Sequence, residues 1–408
     1  MTSDRLTPVA AADRHLQLDV LRGLGVMGIL AVNIAAFALP FEAFMSPKLS
    51  PHGFDADAQT AWWTVRTFFE FKFVTLFSML FGVSLFLIGG ERSDLARGAL
   101  LRRRLFWLAV FGLIHGLAVW YGDILLLYAW AGLFMMLARS WSARRLFWTG
   151  LTIVLLGSLI AVGPMIALEY APATVQKDVQ TSMLAGSTAE SARAAVEAMR
   201  SGLLPAMKEN FNGWLFVQAS SAFMFVFRTV ALMMIGLSLF KWGFLIGKSP
   251  VWVYLLSVAA GAASLWAVGT SAQAILASGY AFPQSYGRYA AANEFLSLVI
   301  SLGYASTLIL LIKLAVMRSL LRPLAAVGQM AFTNYLTQSL ILTTIFWSGR
   351  GLGLFGAFDR DALWLFVFGV WALQLVWSPL WLSRFRMGPL EWVWRRLTYG
   401  KGLEAKAA

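Results

Sequence analysis

The sequence predicts an all-α membrane protein, a polytopic bundle of about ten transmembrane helices with both termini in the cytoplasm. Of its 408 residues, 59% are hydrophobic and 13% are charged, and the chain holds 31 Phe and 18 Trp. Soluble globular chains do not reach this composition. The apolar residues also fall into runs close to the roughly 20 residues that cross a bilayer, which favours membrane-spanning helices over a soluble core.

Ten apolar runs follow one another along the chain. The first is too long for the apolar part of a cleavable signal and has no small-residue cleavage site. The third and fourth are joined by the short turn Tyr121-Gly122-Asp123, which predicts a tight hairpin. The predicted spans cover residues 18–39, 67–89, 104–121, 123–138, 146–168, 214–240, 251–269, 292–316, 324–347 and 362–382.

These spans divide the chain into four segments. Residues 1–168 are predicted to form an N-terminal five-span bundle, 169–213 an outer segment, 214–384 a second five-span bundle and 385–408 a cytoplasmic interfacial tail. The outer segment contains an amphipathic helix at Glu190–Met199 and is either a lid or a passive connector. The tail is expected to place aromatic residues at headgroup level and arginines towards anionic lipid, namely Trp392, Trp394, Tyr399, Arg395 and Arg396.

Orientation follows from the positions of Lys and Arg, which are enriched in cytoplasmic loops. One alternating set of loops and tails carries 21 of these residues and the other carries 8. Because the richer set includes both termini, both are predicted to be cytoplasmic. The poorer set, predicted to lie outside, comprises Lys48, Lys177, Arg193, Arg200, Lys208, Arg288, Arg350 and Arg360.

Composition also excludes several kinds of site. The chain has no Cys and only three His, at positions 15, 52 and 115. Disulfides, thiolate catalysis and cysteine metal sites are therefore excluded, and no metal cofactor is expected. The net charge of +13 follows the loops, so it indicates membrane topology and no nucleic-acid partner.

Four polar residues near the first four spans are predicted to share one layer beneath the outer face. Asn33 and His115 each lie about 9 Å from the outer end of a span, and Lys72 about 7 Å. Asp123 lies at the outer mouth. Ionisable groups in a membrane cost about 2.5–3.5 kcal/mol on insertion scales and are functional candidates by default. We expect these four residues to converge on a catalytic cavity that opens to the outer face.

Each of these ionisable residues also has a structural interpretation, and the sequence leaves both interpretations open. His115 is also explained as a hydrogen-bonded packing group. Lys72 could extend its amine to the membrane surface, and Asp123 could cap the fourth span. Glu70 could form an ion pair with Arg66 at i and i+4.

A second group of candidates lies at the cytoplasmic end. Asp19 and Arg22 are one helical turn apart and are expected to pair. Arg22, with the run Arg102, Arg103 and Arg104, is a candidate to bind the phosphates of a cytosolic donor, because guanidinium groups bind phosphate bidentately. Alternatively, these arginines are only a topology signal.

Several short motifs occur together over nearly the whole chain. They are Leu18-Asp19-Val20-Leu21-Arg22-Gly23, Lys72-Phe73, His115-Gly116, Gly122-Asp123-Ile124-Leu125, Thr333-Asn334-Tyr335-Leu336 after Gly328, and Gly388-Pro389-Leu390-Glu391-Trp392. In these motifs the chain resembles the YeiB-like family of bacterial inner-membrane proteins, whose C-terminal half is classed as a domain of unknown function. The resemblance implies a multi-pass protein of the bacterial inner (plasma) membrane and leaves the activity open.

More distantly, the Asp-x-x-Arg-Gly pattern of the first span is similar to that of transmembrane acyltransferases, such as heparan glucosaminide N-acetyltransferase and the polysaccharide O-acyltransferases. This resemblance implies transfer of an acyl group from a cytosolic coenzyme A thioester to a sugar on the other side. The O-acyltransferase pattern carries a first-span histidine, and this chain has none between His15 and His52. His115 then becomes the candidate base, with His52 behind it.

The leading hypothesis is acyl transfer from an acyl-CoA such as acetyl-CoA to a hydroxyl or amine of a sugar or lipid acceptor. His115 would act as general base or take the acyl group, Asp123 would orient it, and Lys72 and Asn33 would stabilise the oxyanion.

Two further hypotheses are carried beside acyl transfer. The alternative is a transporter or permease for a small solute that uses the same layer as its binding or proton site, and a sensor or scaffold is the third. The absence of an inverted repeat favours the enzyme. Membrane lipids are expected partners. The sequence leaves open whether the protein forms a homo-oligomer.

Overall fold

The computed structural model describes residues 15–183, 185–220 and 225–400, and every regular element in them is helical. Four basic residues counted for orientation, Arg5, Arg14, Lys401 and Lys406, lie outside the described residues, as do the end of the tail and part of the sixth span. The helices of the first half are α1 (Leu16–Ala38), α2 (Phe41–Met45), α3 (Ala56–Phe68), α4 (Lys72–Gly89), α5 (Leu95–Ala118), α6 (Leu125–Ala138), α7 (Ala143–Leu168), α8 (Ala173–Met183) and α9 (Ala189–Arg200). Those of the second half are α10 (Leu203–Ser220), α11 (Val226–Lys241), α12 (Val251–Ala277), α13 (Arg288–Lys313), α14 (Ala315–Leu320), α15 (Arg322–Gln329), α16 (Ala331–Phe346), α17 (Leu363–Leu382) and α18 (Pro389–Tyr399).

The ten predicted spans each coincide with one helix or with two consecutive helices. Six helical stretches are long and apolar enough to cross a membrane by themselves, namely α1, Ala56–Gly89, α7, α12, α13 and α17. The other predicted spans correspond to α5, α6, α10 with α11, and α15 with α16. Among these, α6 has only 14 residues, or about 21 Å at 1.5 Å per residue. The chain is therefore a polytopic helical membrane protein.

Two helix boundaries differ from the prediction. The second span is preceded by α3, and the backbone between α3 and α4 turns at Phe71, which has a left-handed φ of 66°. Since no Gly or Pro marks this turn, hydropathy could not locate it. The helix α5 begins at Leu95 rather than at residue 104, because the side chain of Asp94 accepts a hydrogen bond from the backbone N–H of Arg97 and caps an earlier turn.

The helix α1 lies at the centre of the bundle, where it packs on α4, α13, α15, α16 and α17. Its crossing with α15 is very close. A Cβ added at Gly23 would lie 2.0 Å from the carbonyl oxygen of Leu324, and one added at Gly328 would lie 1.8 Å from that of Asp19. Glycine at both positions is therefore required for the two backbones to meet.

The bundle has two ends, a basic end and a far end. The basic end holds Arg22 at the start of α1, Arg104 in α5, and α18. The far end holds the turn Tyr121–Asp123 and the helices α8 and α9, and the charge count predicts that it lies outside the cell. There α9 coincides with the predicted amphipathic helix, and α10 continues to Ser220, across the predicted segment boundary at residue 213.

Candidate functional site

The hairpin between α5 and α6 brings His115 and Asp123 into contact. Nδ1 of His115 lies 2.9 Å from Oδ1 of Asp123, and the two residues are only 2% and 3% exposed. Because a carboxylate can only accept, the Nδ1–H group of the imidazole is the donor. The lone pair of the imidazole is then on Nε2, and this atom has no hydrogen-bond partner among the described residues.

The second carboxylate oxygen of Asp123 fixes the start of α6. Oδ2 accepts a hydrogen bond from the backbone N–H of Leu126 at 2.8 Å, so Asp123 caps the helix while it binds His115. The close approach depends on Gly112, where an added Cβ would lie 2.8 Å from Oδ2 and 2.4 Å from the Leu126 nitrogen. Asp123 therefore caps α6, as one interpretation of the sequence predicted, and the same carboxylate contacts His115.

The last turn of α5, which carries His115, is held by side chains from the far end. Asn210 of α10 donates to the carbonyls of Gly116 (2.9 Å) and Leu117 (3.1 Å). Arg350, in the loop after α16, donates to the carbonyls of Val119 (2.7 Å) and Ala118. Burial lowers the pKa of this arginine. Since a helix leaves its last carbonyls unpaired, these four bonds fix the turn on which the imidazole is mounted.

Aromatic rings surround the imidazole. The ring centroid of Tyr335, on α16, lies 5.3 Å from that of His115, and that of Trp120 lies 6.4 Å away. The hydroxyl of Tyr335 donates to the carbonyl of Gly122 (3.3 Å), and the N–H of Ile124 donates to it (3.4 Å). Both distances are long, so Tyr335 is only loosely bound to the hairpin.

A cavity of about 240 Å³ extends from the basic end to Tyr335. Its walls are mostly apolar side chains of α1, α4, α5 and α6. Tyr335 and Tyr128 lie at its deep end, and the hydroxyl of Tyr128 is 3.0 Å from Oγ of Ser78. Tyr335 therefore lies between this cavity and His115. The sequence predicted a cavity formed by Asn33, Lys72, His115 and Asp123, and none of these four residues lines this one.

Two of the four predicted cofactor-binding arginines line the basic end of this cavity. Arg22 pairs with Asp19 at 2.9 Å, as their spacing predicts, and donates to Ser84 at 2.9 Å. The guanidinium of Arg104 lies 3.5 Å from the centroid of the Trp394 ring. Arg102 and Arg103 are exposed and are not part of the cavity wall.

The C-terminal helix α18 closes one side of the cavity, which corrects the expectation for the tail. Trp394 is buried, and its indole Nε1 donates to the carbonyl of Arg104 at 3.0 Å. Arg395 also lines the cavity. Trp394 therefore packs inside the bundle rather than among lipid headgroups, because α18 packs on α5 and α16.

Glu391 attaches α18 to the beginning of α16. Its carboxylate accepts hydrogen bonds from the backbone N–H groups of Phe332 (2.8 Å) and Thr333 (3.0 Å) and from the Thr333 hydroxyl. These N–H groups are among those that a helix leaves unpaired at its N-terminus. Burial raises the pKa of the Glu391 carboxyl, and the hydrogen bonds offset part of this effect. The motif that contains Glu391 therefore caps the helix that begins with the motif containing Thr333.

Lys72 lies in a different cluster. Its side chain is 0% exposed, and its amine donates to Oδ1 of Asn293 on α13 and to the carbonyl of Arg66 at 2.6 Å. Asn293 donates to Glu70 at 3.0 Å, and Glu70 pairs with Arg66 at 2.9 Å. None of the described contacts joins Lys72 to His115. The expected single polar layer thus divides in two, because depth in the membrane does not specify the face on which a side chain lies.

The remaining predicted residues are also apart from the histidine. Asn33 is half-buried on α1, and no hydrogen bond in the described part of the chain joins it to His115. His52 contacts the carbonyl of Gly356 at 3.0 Å in the far-end loops. The oxyanion roles expected of Asn33 and Lys72 therefore have no contact to support them.

Sequence reasoning missed Tyr335, Tyr128 and Asn210 as neighbours of the site. Tyr335 lies in the motif Thr333-Asn334-Tyr335-Leu336, which was one available signal. Asn210 lies in a polar stretch of the outer segment and had no such signal. Arg228, a basic residue within the sixth predicted span, forms an ion pair with Glu294 of α13.

The chain matches one protein-family model and is similar to several bacterial proteins. The family model described as "Protein of unknown function (DUF418)" matches residues 239–401. The chain is 33% identical to "Uncharacterized protein YeiB" of Escherichia coli (strain K12) over 395 residues, which cover 95% of this chain and 96% of that protein. It is 30% identical to "Uncharacterized protein YxaH" of Bacillus subtilis (strain 168), over 97% and 96% of the two chains. No solved structure matches it.

Proposed function

The chain belongs to the YeiB family of membrane proteins, and on that premise we propose that it transfers an acyl group from a cytosolic acyl-CoA to an acceptor hydroxyl or amine at the far end. The observation that carries this proposal is the buried His115–Asp123 pair, which lies directly behind the deep end of a cavity whose other end holds Arg22 and Arg104. Guanidinium groups at one end and a base at the other match the two ends of an acyl thioester.

His115 acts as the general base in this proposal. Its Nδ1–H is held by Asp123, so Nε2 carries the lone pair that takes a proton. Asp123 is itself fixed by the N–H of Leu126 and stabilises the imidazolium that forms. The side-chain bonds to the last turn of α5 keep the imidazole in this orientation before the acceptor arrives.

The cavity at the basic end receives the donor. Arg22 and Arg104 bind the phosphates of coenzyme A, and the apolar wall accommodates the arm that carries the thioester. Tyr335, at the deep end, is adjacent to both the cavity and the His115 ring. We assign to its hydroxyl the stabilisation of the oxyanion, in place of Lys72.

The reaction is balanced without a metal or an oxidant. Nε2 of His115 takes the proton of the acceptor hydroxyl or amine, and the acceptor atom attacks the thioester carbonyl. The carbon–sulfur bond then breaks, and the leaving thiolate of coenzyme A takes the proton back from the imidazolium. The net change is one ester or amide bond formed and one thioester bond broken.

The deciding experiment measures acetyl-CoA binding and turnover by purified protein in detergent or nanodiscs. The wild type is expected to bind acetyl-CoA and to release free coenzyme A. The acetyl group passes either to an acceptor or, slowly, to water. His115→Ala should bind acetyl-CoA with unchanged affinity and release none. A matched control is His52→Ala, which should keep full turnover because His52 contacts only a far-end carbonyl in the described structure.

Two outcomes would overturn the proposal. Turnover that persists in His115→Ala would remove the histidine from the chemistry. A wild-type protein that binds no coenzyme A thioester, but moves a solute across liposomes down or against a gradient, would show a transporter instead.

A further inference from the structure

We propose that a groove at the far end, between α9 and the loop around the short 3-10 helix Pro47–Leu49, binds a phosphate group. The groove encloses about 610 Å³, and its polar lining includes Lys48, Ser50, Arg193, Arg200 and Glu197. This volume is within the range of pockets that hold small molecules. The groove is separate from the cavity at the basic end, and the proposal holds whether or not His115 performs chemistry.

The groove has more positive than negative side chains in its lining. Lys48, Arg193 and Arg200 form no ion pair with any described residue. Glu197 is the acid of the lining, and although it lies one turn from Arg193 and from Arg200 it pairs with neither. Three cations against one carboxylate leave the groove suited to an anion that carries more than one negative oxygen.

Two of these cations are held in place by neutral groups. The amine of Lys48 donates to the carbonyl of Gly279 at 2.8 Å, and Nε of Arg200 donates to the carbonyl of Phe355 at 2.6 Å. Such bonds orient the side chains without neutralising them. The terminal nitrogens of Arg200 remain available as the fork that binds phosphate bidentately.

An uncharged donor completes the lining. Ser50 is only 7% exposed, and its hydroxyl has no hydrogen-bond partner among the residues that the structure describes. A buried hydroxyl without a partner is unfavourable, and a phosphate oxygen in the groove would accept its hydrogen bond. This hydroxyl is the observation that distinguishes a binding site from a merely basic surface.

Membrane topology does not explain these charges. Basic residues that set orientation collect at the cytoplasmic end, whereas this groove is at the opposite end. Three of the eight Lys and Arg residues predicted to lie outside line this one groove. A ligand with phosphate chemistry accounts for their convergence, and its source is either a soluble phosphoester or the headgroup of an anionic lipid.

The test uses the full-length protein in nanodiscs and two probes. Glycerol 3-phosphate is titrated into phosphatidylcholine nanodiscs, and phosphatidylglycerol enrichment is measured in mixed nanodiscs by mass spectrometry. The variant is Lys48→Gln with Arg193→Gln, and the control is Lys177→Gln, an exposed lysine of α8 outside the groove. We expect the double variant to weaken binding of one probe by about tenfold or more, because two charged contacts are lost, and the control to leave it unchanged.

The outcomes are distinguishable from each other and from failure of the acyl-transfer proposal. Loss confined to glycerol 3-phosphate supports the groove as a site for soluble phosphoesters, and loss confined to phosphatidylglycerol supports a lipid site. If neither probe binds the wild type, or if the double variant and Lys177→Gln bind alike, the proposal is wrong. Ser50→Ala provides a second, uncharged variant should the double variant not fold. His115→Ala should bind either probe as the wild type does.

Discussion

The ring of Tyr335 lies 5.3 Å from the ring of His115, yet the two residues are 220 positions apart in the chain and on different halves of it. Tyr335 faces the cavity of the basic end, and His115 is bound to Asp123 behind it. The contact therefore joins this cavity to the candidate base.

Asp123→Asn and Asp123→Ala should separate the two roles of this side chain. Asparagine keeps an oxygen for the N–H of Leu126 but loses the charge that stabilises the imidazolium, so we expect turnover to fall about 100-fold or more with little loss of stability. Alanine should lose both turnover and the cap, at a cost of about 1 kcal/mol. Turnover and thermal unfolding in detergent are the measurements, and equal turnover in Asp123→Asn and wild type would contradict the assignment.

Tyr335→Phe removes only the hydroxyl. If that hydroxyl stabilises the oxyanion, kcat should fall about 100-fold while KM for acetyl-CoA stays the same. The hydrogen bonds that it forms with the hairpin are long, so the stability change should stay within about 1 kcal/mol. Tyr128→Phe is the matched control at the same end of the cavity. A rise in KM with unchanged kcat would assign Tyr335 to the cavity wall alone.

Arg104→Gln and Arg103→Gln compare adjacent arginines, one in the cavity wall and one exposed. Loss of a guanidinium–phosphate contact should raise the Kd for coenzyme A about tenfold in Arg104→Gln. Arg103→Gln should bind as the wild type does. Equilibrium binding of coenzyme A at low and high salt is the measurement, and equal losses in the two variants would reduce both arginines to topology signals.

Glu391 should make stability depend on pH. Because burial raises the pKa of its carboxyl above the usual value in the folded protein, protonation favours the folded state. This contribution is present below the unfolded pKa and is lost as pH rises through the folded pKa. We expect the free energy of unfolding of the wild type, relative to Glu391→Gln, to fall across the pH range that begins at the usual glutamate pKa of about 4.3 and extends upward. Thermal unfolding of both proteins across that range tests this expectation. A relative stability that rises with pH would show that the hydrogen bonds to Glu391 affect its pKa more than burial does.

Lys72→Met should affect folding rather than chemistry. It leaves Oδ1 of Asn293 and the carbonyl of Arg66 without their donor, at about 1–3 kcal/mol for each buried group. The apparent unfolding temperature should fall, while turnover per folded molecule should stay close to that of the wild type. Should turnover disappear in protein that remains folded, the oxyanion role first expected of Lys72 would be restored.

The sequence allowed good prediction of contacts between residues close together in the chain. Asp19 with Arg22 and Arg66 with Glu70 follow from helical spacing, and His115 with Asp123 follows from a turn too short to separate them. The spans were predicted for the same reason, because hydropathy over about 20 residues is a local property.

Contacts between distant residues could not be predicted in this way. The partner of Lys72 is Asn293, on a helix more than 200 residues away, and its identity depends on how both helices are rotated. The same is true of Trp394, which the sequence placed at the membrane surface and which instead lies against Arg104. A single sequence indicates how deep a residue lies in the membrane, but it does not indicate the direction in which the side chain points.

The shortness of α6 affects how far a donor would travel in the proposed acyl transfer. A bilayer has a hydrocarbon core about 30 Å thick, and α6 spans about 21 Å of it between the His115 hairpin and the basic end. With the predicted topology, the hairpin would lie about 9 Å inside the outer face of the hydrocarbon core. In the proposed reaction, a cytosolic donor would then cross roughly two-thirds of the core, and the acceptor would cross the rest from outside.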